Sequence, residues 1–179
     1  MATATTTWVI DPSHSEVQFK VKHLMVSTVT GSFGQYDGKI ETTGDDFENA
    51  SVSFSAEIDS ISTGNEQRDG HLKSGDFFDA AGFPQLTFVS TSMKKTGNDT
   101  YELHGDLTMR GVTKPVTLKA EYGGQMVDFY GQTKAGFELA GVVKRKEFGL
   151  NWDAVTEAGG VVVSDDVRLV LNIQVTKQA

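Results

Sequence analysis

Residues 66–88 read EQRDGHLKSGDFFDAAGFPQLTF and are the one long interruption in a chain whose other segments alternate apolar and polar residues. The first half predicts a helix over residues 65–74, with Asn65 as its N-cap and Gly75 just beyond its end. The second half places Phe77, Phe78 and Phe83 in a short irregular segment, and three aromatic side chains need an apolar place to pack. We therefore interpret this stretch as a lid over the space that the neighbouring strands enclose.

The segments on both sides of the lid predict β-strands, because their apolar and polar residues alternate with a period of two. In residues 50–61, for example, Val52, Phe54 and Ala56 fall on one face, and serines fall on the other. The same pattern predicts strands within residues 8–40 and over residues 29–41, 86–94, 101–110, 116–122, 127–143 and 167–175, with turns at residues 111–115 and 123–124. Hairpin spacing then favours an all-β fold: a closed antiparallel up-and-down β-barrel of about eight strands, with a short helical insertion, as one domain over residues 1–179.

A barrel of about eight strands is just wide enough to be filled by its own side chains or to hold one small ligand. On the predicted inner face of the later strands, large residues, among them Phe129, alternate with very small ones: Gly105, Ala120, Gly131, Thr133 and Ala135. These small residues favour an open apolar interior, which stays dry and accepts an apolar guest. The alternative is a filled barrel in which Phe77 and Phe78 occupy the space as a plug.

Composition excludes several other classes of protein. Sixteen basic and 24 acidic residues give a net charge of −8, which opposes binding to nucleic acid. Cysteine is absent, and the four histidines, at 14, 23, 71 and 104, lack paired ligand spacing, so we expect no metal and no cofactor. No apolar run is long enough to span a membrane. The N-terminus lacks a secretory signal, which predicts a cytoplasmic protein, or a periplasmic or secreted one if a signal has been removed.

Three clusters of polar residues could carry chemistry. Arg68 and His71 lie three residues apart, on one face of the predicted helix, and could bind an anionic lipid head group, or could tie the lid to Asp76 or Asp79. Asp11, Ser13 and His14 include the residue types of a catalytic triad, but neighbours in a strand point to opposite faces, so no enzyme is predicted. The basic run at residues 144–146, beside Phe148 and Trp152, could form a rim for an anionic head group or a membrane surface.

Four motifs, in order along nearly the whole chain, resemble the YceI-like polyisoprenoid-binding proteins, a lipocalin-like group of bacterial β-barrels. They are His14-Ser15-Glu16-Val17-Gln18-Phe19 with Gly31-Ser32-Phe33, Arg68-Asp69-Gly70-His71-Leu72 with Asp76-Phe77-Phe78-Asp79, Gly105-Asp106-Leu107-Thr108-Met109-Arg110-Gly111, and Arg145-Lys146-Glu147-Phe148-Gly149-Leu150.

The resemblance implies a barrel whose hydrophobic pore takes an isoprenoid or a fatty-acyl lipid, in a homodimer with possible peripheral membrane contact. The residues expected to line the pore are Phe19, Phe33, Phe54, Ile58, Phe78, Phe88, Leu107, Ala135, Phe137 and Leu171, and those expected at the head group are Arg68, His71 and Arg145. The competing hypothesis is a structural or protein-interaction barrel with a filled core and no ligand.

Overall fold

The computed structural model describes residues 5–24, 26–44, 46–152 and 163–178, and its strands form a single antiparallel sheet. In chain order the strands are β1 (Thr6–Ile10), β2 (Glu16–His23), β3 (Ser27–Phe33), β4 (Tyr36–Thr42), β5 (Ser51–Glu57), β6 (Ile61–Ser62), β7 (Gln85–Lys95), β8 (Thr100–Met109), β9 (Val112–Val127), β10 (Thr133–Lys144) and β11 (Val163–Lys177). The single α-helix in the described residues, α1, is Glu66–Lys73.

The sheet closes on itself through β11, which pairs with β10 on one edge and with both β1 and β2 on the other. β1 continues the ring to β4, and β2 pairs with β3. β1 and β2 therefore act as the two halves of one bent strand, and so do β3 and β4. With β5, β7, β8, β9, β10 and β11 they make the closed eight-stranded antiparallel barrel that the sequence predicted.

The bend between β1 and β2 is a 3₁₀ turn, Pro12–His14, with Asp11 as its N-cap. The turn brings together three side chains that a straight strand would have kept apart. The Ser13 hydroxyl donates to Asp11 Oδ1 over 2.6 Å, and His14 Nδ1 lies 3.1 Å from Asp11 Oδ2. The geometric reason for excluding a triad was therefore wrong. The arrangement still lacks the order of a triad, because the serine hydroxyl bonds directly to the carboxylate, and hydroxyl and carboxylate both contact the same imidazole nitrogen, His14 Nδ1, at 3.1 Å.

Two turn predictions and the start of the strand predicted over residues 127–143 were also wrong. The β8–β9 hairpin turns at Arg110 and Gly111, both with positive φ, as a two-residue hairpin with a type I′ twist requires, and β9 then runs on through residues 112–115. Gly123-Gly124 lies inside β9, and the chain reverses only after Val127. Phe129 and Gly131 therefore belong to this turn, where Phe129 is fully exposed, and not to the inner face.

One end of the barrel, which we call the base, is sealed by Phe47 from the loop between β4 and β5. Its ring packs edge-on against Phe137 with the centroids 4.8 Å apart, and tilted against Trp8 at 5.4 Å. Tyr101 and Tyr122 complete this aromatic cluster. Phe47 is 2% exposed, so the base is closed to solvent.

The helix in the interrupting stretch is confirmed, and so is its cap. The side-chain oxygen of Asn65 accepts the backbone N–H of Arg68 at 3.0 Å, which satisfies a donor that the first turn leaves unpaired. The chain from Ser74 to Pro84 then folds back over the barrel. The N–H of Phe78 donates to the carbonyl of Leu72, and that of Ala80 to Lys73.

Candidate functional site

The barrel contains an apolar cavity of about 200 Å³ between the lid and the base. Eight of the ten predicted pore residues line it: Phe19, Phe33, Phe54, Phe78, Phe88, Leu107, Phe137 and Leu171. They converge because each belongs to the inward half of an alternating strand, or, for Phe78, to the lid. Their role in binding a ligand stays a prediction.

Two of the predicted pore residues lie outside the cavity wall, although both are fully buried. Ile58 starts a 3₁₀ turn, Ile58–Ser60, which ends the strand predicted over residues 50–61 and takes its side chain out of the strand's inner row. Ala135 faces Val175 across β10 and β11, and neither is more than 1% exposed. The packed surroundings of Ala135 correct the expectation that it leaves space for a ligand.

Small residues on the inner face do not leave as much space as the sequence suggested, because large side chains lie over them. A methyl group added at Gly31 would overlap the ring of Phe19, its partner across β2 and β3. At Gly105 it would overlap the ring of Phe88. At both glycines the strand backbone lies close to an aromatic ring, so the rings partly fill the interior.

The lid places two of its three phenylalanines inside, as predicted. Phe78 is 9% exposed and packs edge-on against Phe33 at 6.2 Å, and Phe77 is also buried. Phe83 differs, because it is 37% exposed and its ring lies beside Gly111 at the β8–β9 turn. The lid therefore enters the cavity through Leu72, Phe77 and Phe78.

The two predicted head-group residues on α1, Arg68 and His71, bond to residues that are close to them in the chain. Arg68 donates from Nε to the Thr63 hydroxyl at 2.7 Å and from Nη2 to the Thr63 carbonyl at 2.8 Å. His71 Nε2 lies 2.9 Å from Asp76 Oδ2, and its ring packs edge-on against Trp152 at 4.7 Å. The His71–Asp76 contact matches the structural alternative, whereas Arg68 bonds to Thr63 and not to Asp76 or Asp79. Neither side chain lines the cavity.

Arg145 is the one predicted head-group residue that reaches the cavity wall. It is 4% exposed and donates to four backbone carbonyls, those of Leu150, Trp152, Val163 and Ser164, over 2.7–3.0 Å. Phe148 is buried beside it, and Lys144 pairs with Asp166. The basic run at 144–146 is therefore not an open cationic rim. Arg145 instead ties the start of β11 to the segment that follows β10.

Two residues that contribute to this end of the barrel were missed as site residues by sequence reasoning. Arg110 donates to the Phe77 carbonyl at 2.9 Å, which links the lid to the β8–β9 turn. Trp152 packs against Phe77 with the ring centroids 5.5 Å apart. The only available signal for Arg110 was its place before Gly111 in a family motif, because its contact with the lid depends on the fold.

The chain resembles known proteins over nearly its whole length. Residues 8–175 match the family model described as the YceI-like domain. The chain belongs to this family. This YceI-like chain is 37% identical over 164 residues to the UPF0312 protein of Staphylococcus aureus strain USA300, covering 91% of the chain and 93% of the relative.

Two solved structures share the fold of this YceI-like chain. One is the YCEI protein of Campylobacter jejuni, with a TM-score of 0.74 and 32% identity, covering 89% of this chain and 91% of that one. The other is described as a polyisoprenoid binding domain from Saccharophagus degradans implicated in plant cell wall breakdown, with a TM-score of 0.70, 16% identity and coverage of 96% and 98%. The second likeness, at this identity, concerns the fold alone.

The cavity of this YceI-like barrel is suited to enclosing an apolar group. Among the described residues that line the cavity, only Lys39 and Arg145 are ionisable, and Arg145 is held by carbonyls. Within the described ranges, no three His, Cys, Asp or Glu side chains are grouped so as to hold a metal ion. None of the described helices has the length and apolarity to span a bilayer.

Proposed function

We propose that this YceI-like barrel binds an isoprenoid or fatty-acyl lipid, with the apolar chain in the cavity, and acts as a carrier, store or sequestering protein. The observation that carries the proposal is the cavity wall, whose side chains come from all eight barrel strands and are almost entirely apolar. Such a wall favours an apolar chain, because transfer of apolar surface out of water contributes roughly 25 cal/mol per Å². The choice of ligand class follows the resemblance of the four sequence motifs to the polyisoprenoid-binding proteins.

Binding without catalysis is the form of the proposal that the site residues support. General acid–base or nucleophilic catalysis needs titratable groups within hydrogen-bond reach of a bound substrate. The wall of the described cavity offers aliphatic and aromatic side chains instead. We therefore assign no catalytic residue.

The size of the cavity favours a second candidate, a structural or protein-interaction barrel. Its volume of about 200 Å³ is below the roughly 300–1,000 Å³ of ordinary ligand pockets. The rings of Phe19 and Phe88 fill space over Gly31 and Gly105. A barrel that never holds lipid would have these rings in the same places as a barrel that has released it, so only a binding experiment separates the two functions.

The first experiment is extraction of the purified protein with organic solvent, followed by mass spectrometry. Lipid carriage predicts a stoichiometric isoprenoid or acyl lipid, or saturable binding of a fluorescent fatty-acyl probe after delipidation. Leu169 lines the cavity and is only partly buried, so Leu169→Trp should weaken probe binding at least tenfold. The control is Val89→Trp, at a side chain that is 58% exposed on the outside. No co-purified lipid and no saturable binding would favour the filled barrel.

We also propose a homodimer, as the family resemblance implies, and a peripheral membrane contact. The most exposed apolar surface in the described residues lies at the β9–β10 turn, where Met126, Val127, Phe129 and Tyr130 are 62–106% exposed. Sedimentation equilibrium and flotation with neutral phosphatidylcholine vesicles test the two ideas. A monomer that stays with the bulk solution in the flotation assay would contradict both.

A further inference from the structure

The wall of the barrel has a seam at which β9 and β10 stop pairing. Their ladder runs from Thr133↔Val127 to Ala140↔Lys119, and no pairs follow between residues 112–118 of β9 and 141–144 of β10, although all of these residues are described. Both segments keep their other neighbours, since Val112 pairs with Met109 of β8 and Lys144 pairs with Asp166 of β11. The seam is therefore a loss of pairing between two ordered strands, and it begins beside a close approach, since a methyl group added at Gly141 would lie 3.0 Å from the Thr117 carbonyl oxygen.

Pro115 gives this seam a local cause. Proline has no N–H to donate to a ladder, and it occurs in sheets mainly where one side of the strand is unpaired. Met109↔Val112 closes the two-residue hairpin as a hydrogen-bonded pair, and such pairs alternate along an antiparallel ladder with non-hydrogen-bonded ones. Asp106↔Pro115, three pairs further on, is therefore a non-hydrogen-bonded pair, and the nitrogen of Pro115 faces β10. The strands can separate here without leaving a backbone donor of Pro115 unsatisfied.

An open groove of about 730 Å³ lies outside the barrel along this seam. It is bordered by Pro115 and Thr117 of β9 on one side, and by Val142 and Lys144 of β10 on the other. Val116 and Val143 line both this groove and the internal cavity. At the seam, a single layer of valine side chains thus separates the groove from the cavity.

We propose that the seam between β9 and β10 is a lateral portal, and that the outer groove holds the anionic end, a carboxylate or a phosphate, of a lipid whose chain lies in the cavity. This inference rests on the proposed function. The cavity of about 200 Å³ is small for a long lipid, and the groove provides the additional volume. Parting Val116 from Val143 joins the two spaces without moving the lid.

The groove has the polar groups that such an end needs. Lys94 lies in it, is exposed, and forms no ion pair with any described residue. The amine of Lys144 is already bonded to Asp166 at 2.6 Å. The Thr117 hydroxyl lies 3.0 Å from His104 Nδ1 and adds a second hydrogen-bonding group to the groove. The groove also contains Glu147, and Lys94 stands opposite Glu102 on β8, but no ion pair joins Lys94 to either carboxylate. In a chain of net charge −8, Lys94 is thus the cation in the described groove that is free to pair with an anionic ligand.

The first test closes the seam with a disulfide. The chain has no cysteine, so Thr117→Cys with Val142→Cys introduces the only thiols, on the two sides of the groove. Oxidation should slow exchange of a fluorescent fatty-acyl probe at least tenfold, and a reductant should restore it. The matched control is Glu121→Cys with Glu138→Cys, at a pair where the same two strands are already laddered. Equal exchange rates in both oxidised pairs would overturn the portal.

The second test concerns the groove and does not need the disulfide to form. Lys94→Glu should weaken binding of a long-chain fatty acid and of a long-chain alkyl phosphate at least tenfold, and leave the matching alcohol within twofold. Lys22→Glu, on the outside of β2 and not in the groove, makes the same change in net charge as the control. Loss with only one of the two anions identifies the head group. Unchanged binding of both anions would overturn the assignment of the groove.

Failure of this inference differs from failure of the proposed function. If the wild-type protein binds none of the probes and carries no lipid, the proposed function is wrong and the portal falls with it. If the wild-type protein binds the probes but neither pair of variants differs from its control, the lipid-binding function stands. In that case entry occurs elsewhere, and the portal alone is wrong.

Discussion

The ring of Phe19 on β2 lies directly over Gly31, its cross-strand partner on β3. We expect Gly31→Ala to push this ring into the adjoining cavity, because the ring is the movable group and Phe19 already lines that space. The free energy of unfolding should fall by less than about 1 kcal/mol, while affinity for an acyl probe should fall. Urea unfolding and probe titration measure the two effects.

Gly105→Ala should behave differently from Gly31→Ala. Its added methyl group would meet the ring of Phe88 and also the carbonyl oxygen of Val89, 2.7 Å away, and a backbone oxygen cannot move aside as a ring can. We expect a loss of about 1–3 kcal/mol in unfolding free energy. Gly136→Ala is the control, because nothing lies within 4 Å of the new methyl group. If Gly105→Ala is as stable as Gly136→Ala, the inference that Gly105 is crowded is wrong.

Phe47 should be the most sensitive phenylalanine at the base. It is 2% exposed and packs against Trp8, Tyr101, Tyr122 and Phe137. Truncation of a buried phenylalanine to alanine costs about 3–5 kcal/mol, so Phe47→Ala should lose about that much unfolding free energy. Phe129→Ala, at a fully exposed ring, should change it by no more than about 0.5 kcal/mol. Similar values for the two variants would contradict a sealed base.

Arg145→Met should destabilise the protein, because it removes the donor from four carbonyl groups around a buried side chain. Hydrogen bonds to charged groups contribute about 1.5–3 kcal/mol each and are not additive, so we expect a total loss above about 3 kcal/mol. Arg145→Lys should recover little of it, since an ammonium cannot span the guanidinium's positions. The control is Arg168→Met, at an exposed position. If urea unfolding gives Arg145→Met and Arg168→Met similar unfolding free energies, Arg145 is not a structural clamp.

Asp11 should make stability depend on pH. Hydrogen bonds from Ser13, and then contacts with His14 and Lys134, hold the pKa of the Asp11 carboxyl well below its ordinary value. A lowered folded-state pKa adds stability above the unfolded value of about 3.9, and that stability is lost as the pH falls towards the folded value. The difference in unfolding free energy between the wild type and Asp11→Asn should therefore be largest above about pH 5 and shrink below about pH 4.

The control for this pH dependence is Asp106→Asn, at an exposed carboxylate on β8 outside the Asp11 cluster. Denaturant unfolding at a series of pH values from 7 to 3 measures all three proteins. A wild-type advantage over Asp11→Asn that stays constant down to pH 3 would show that the ionised carboxylate is not the source of the stability.

Local sequence alone determined the strands, the barrel and the helix of the lid. Alternation with a period of two places Val17, Phe19 and Val21 on one face of β2, and all three line the cavity. The Asn65 cap follows from a side chain that bonds to the next turn of its own helix. These features could be predicted because each depends on residues that are neighbours in the chain.

Only the tertiary structure decided which inward residues face open space. Ala135 and Leu139 lie on the same face of β10, yet Leu139 lines the cavity and Ala135 packs against Val175 near the base. Depth along the barrel depends on how each strand is shifted against its partners, and alternation within one strand contains no record of that shift. For the same reason the sequence could not show that Phe19 covers Gly31, that carbonyl groups from two separate segments surround Arg145, or that β9 and β10 stop pairing beyond Ala140.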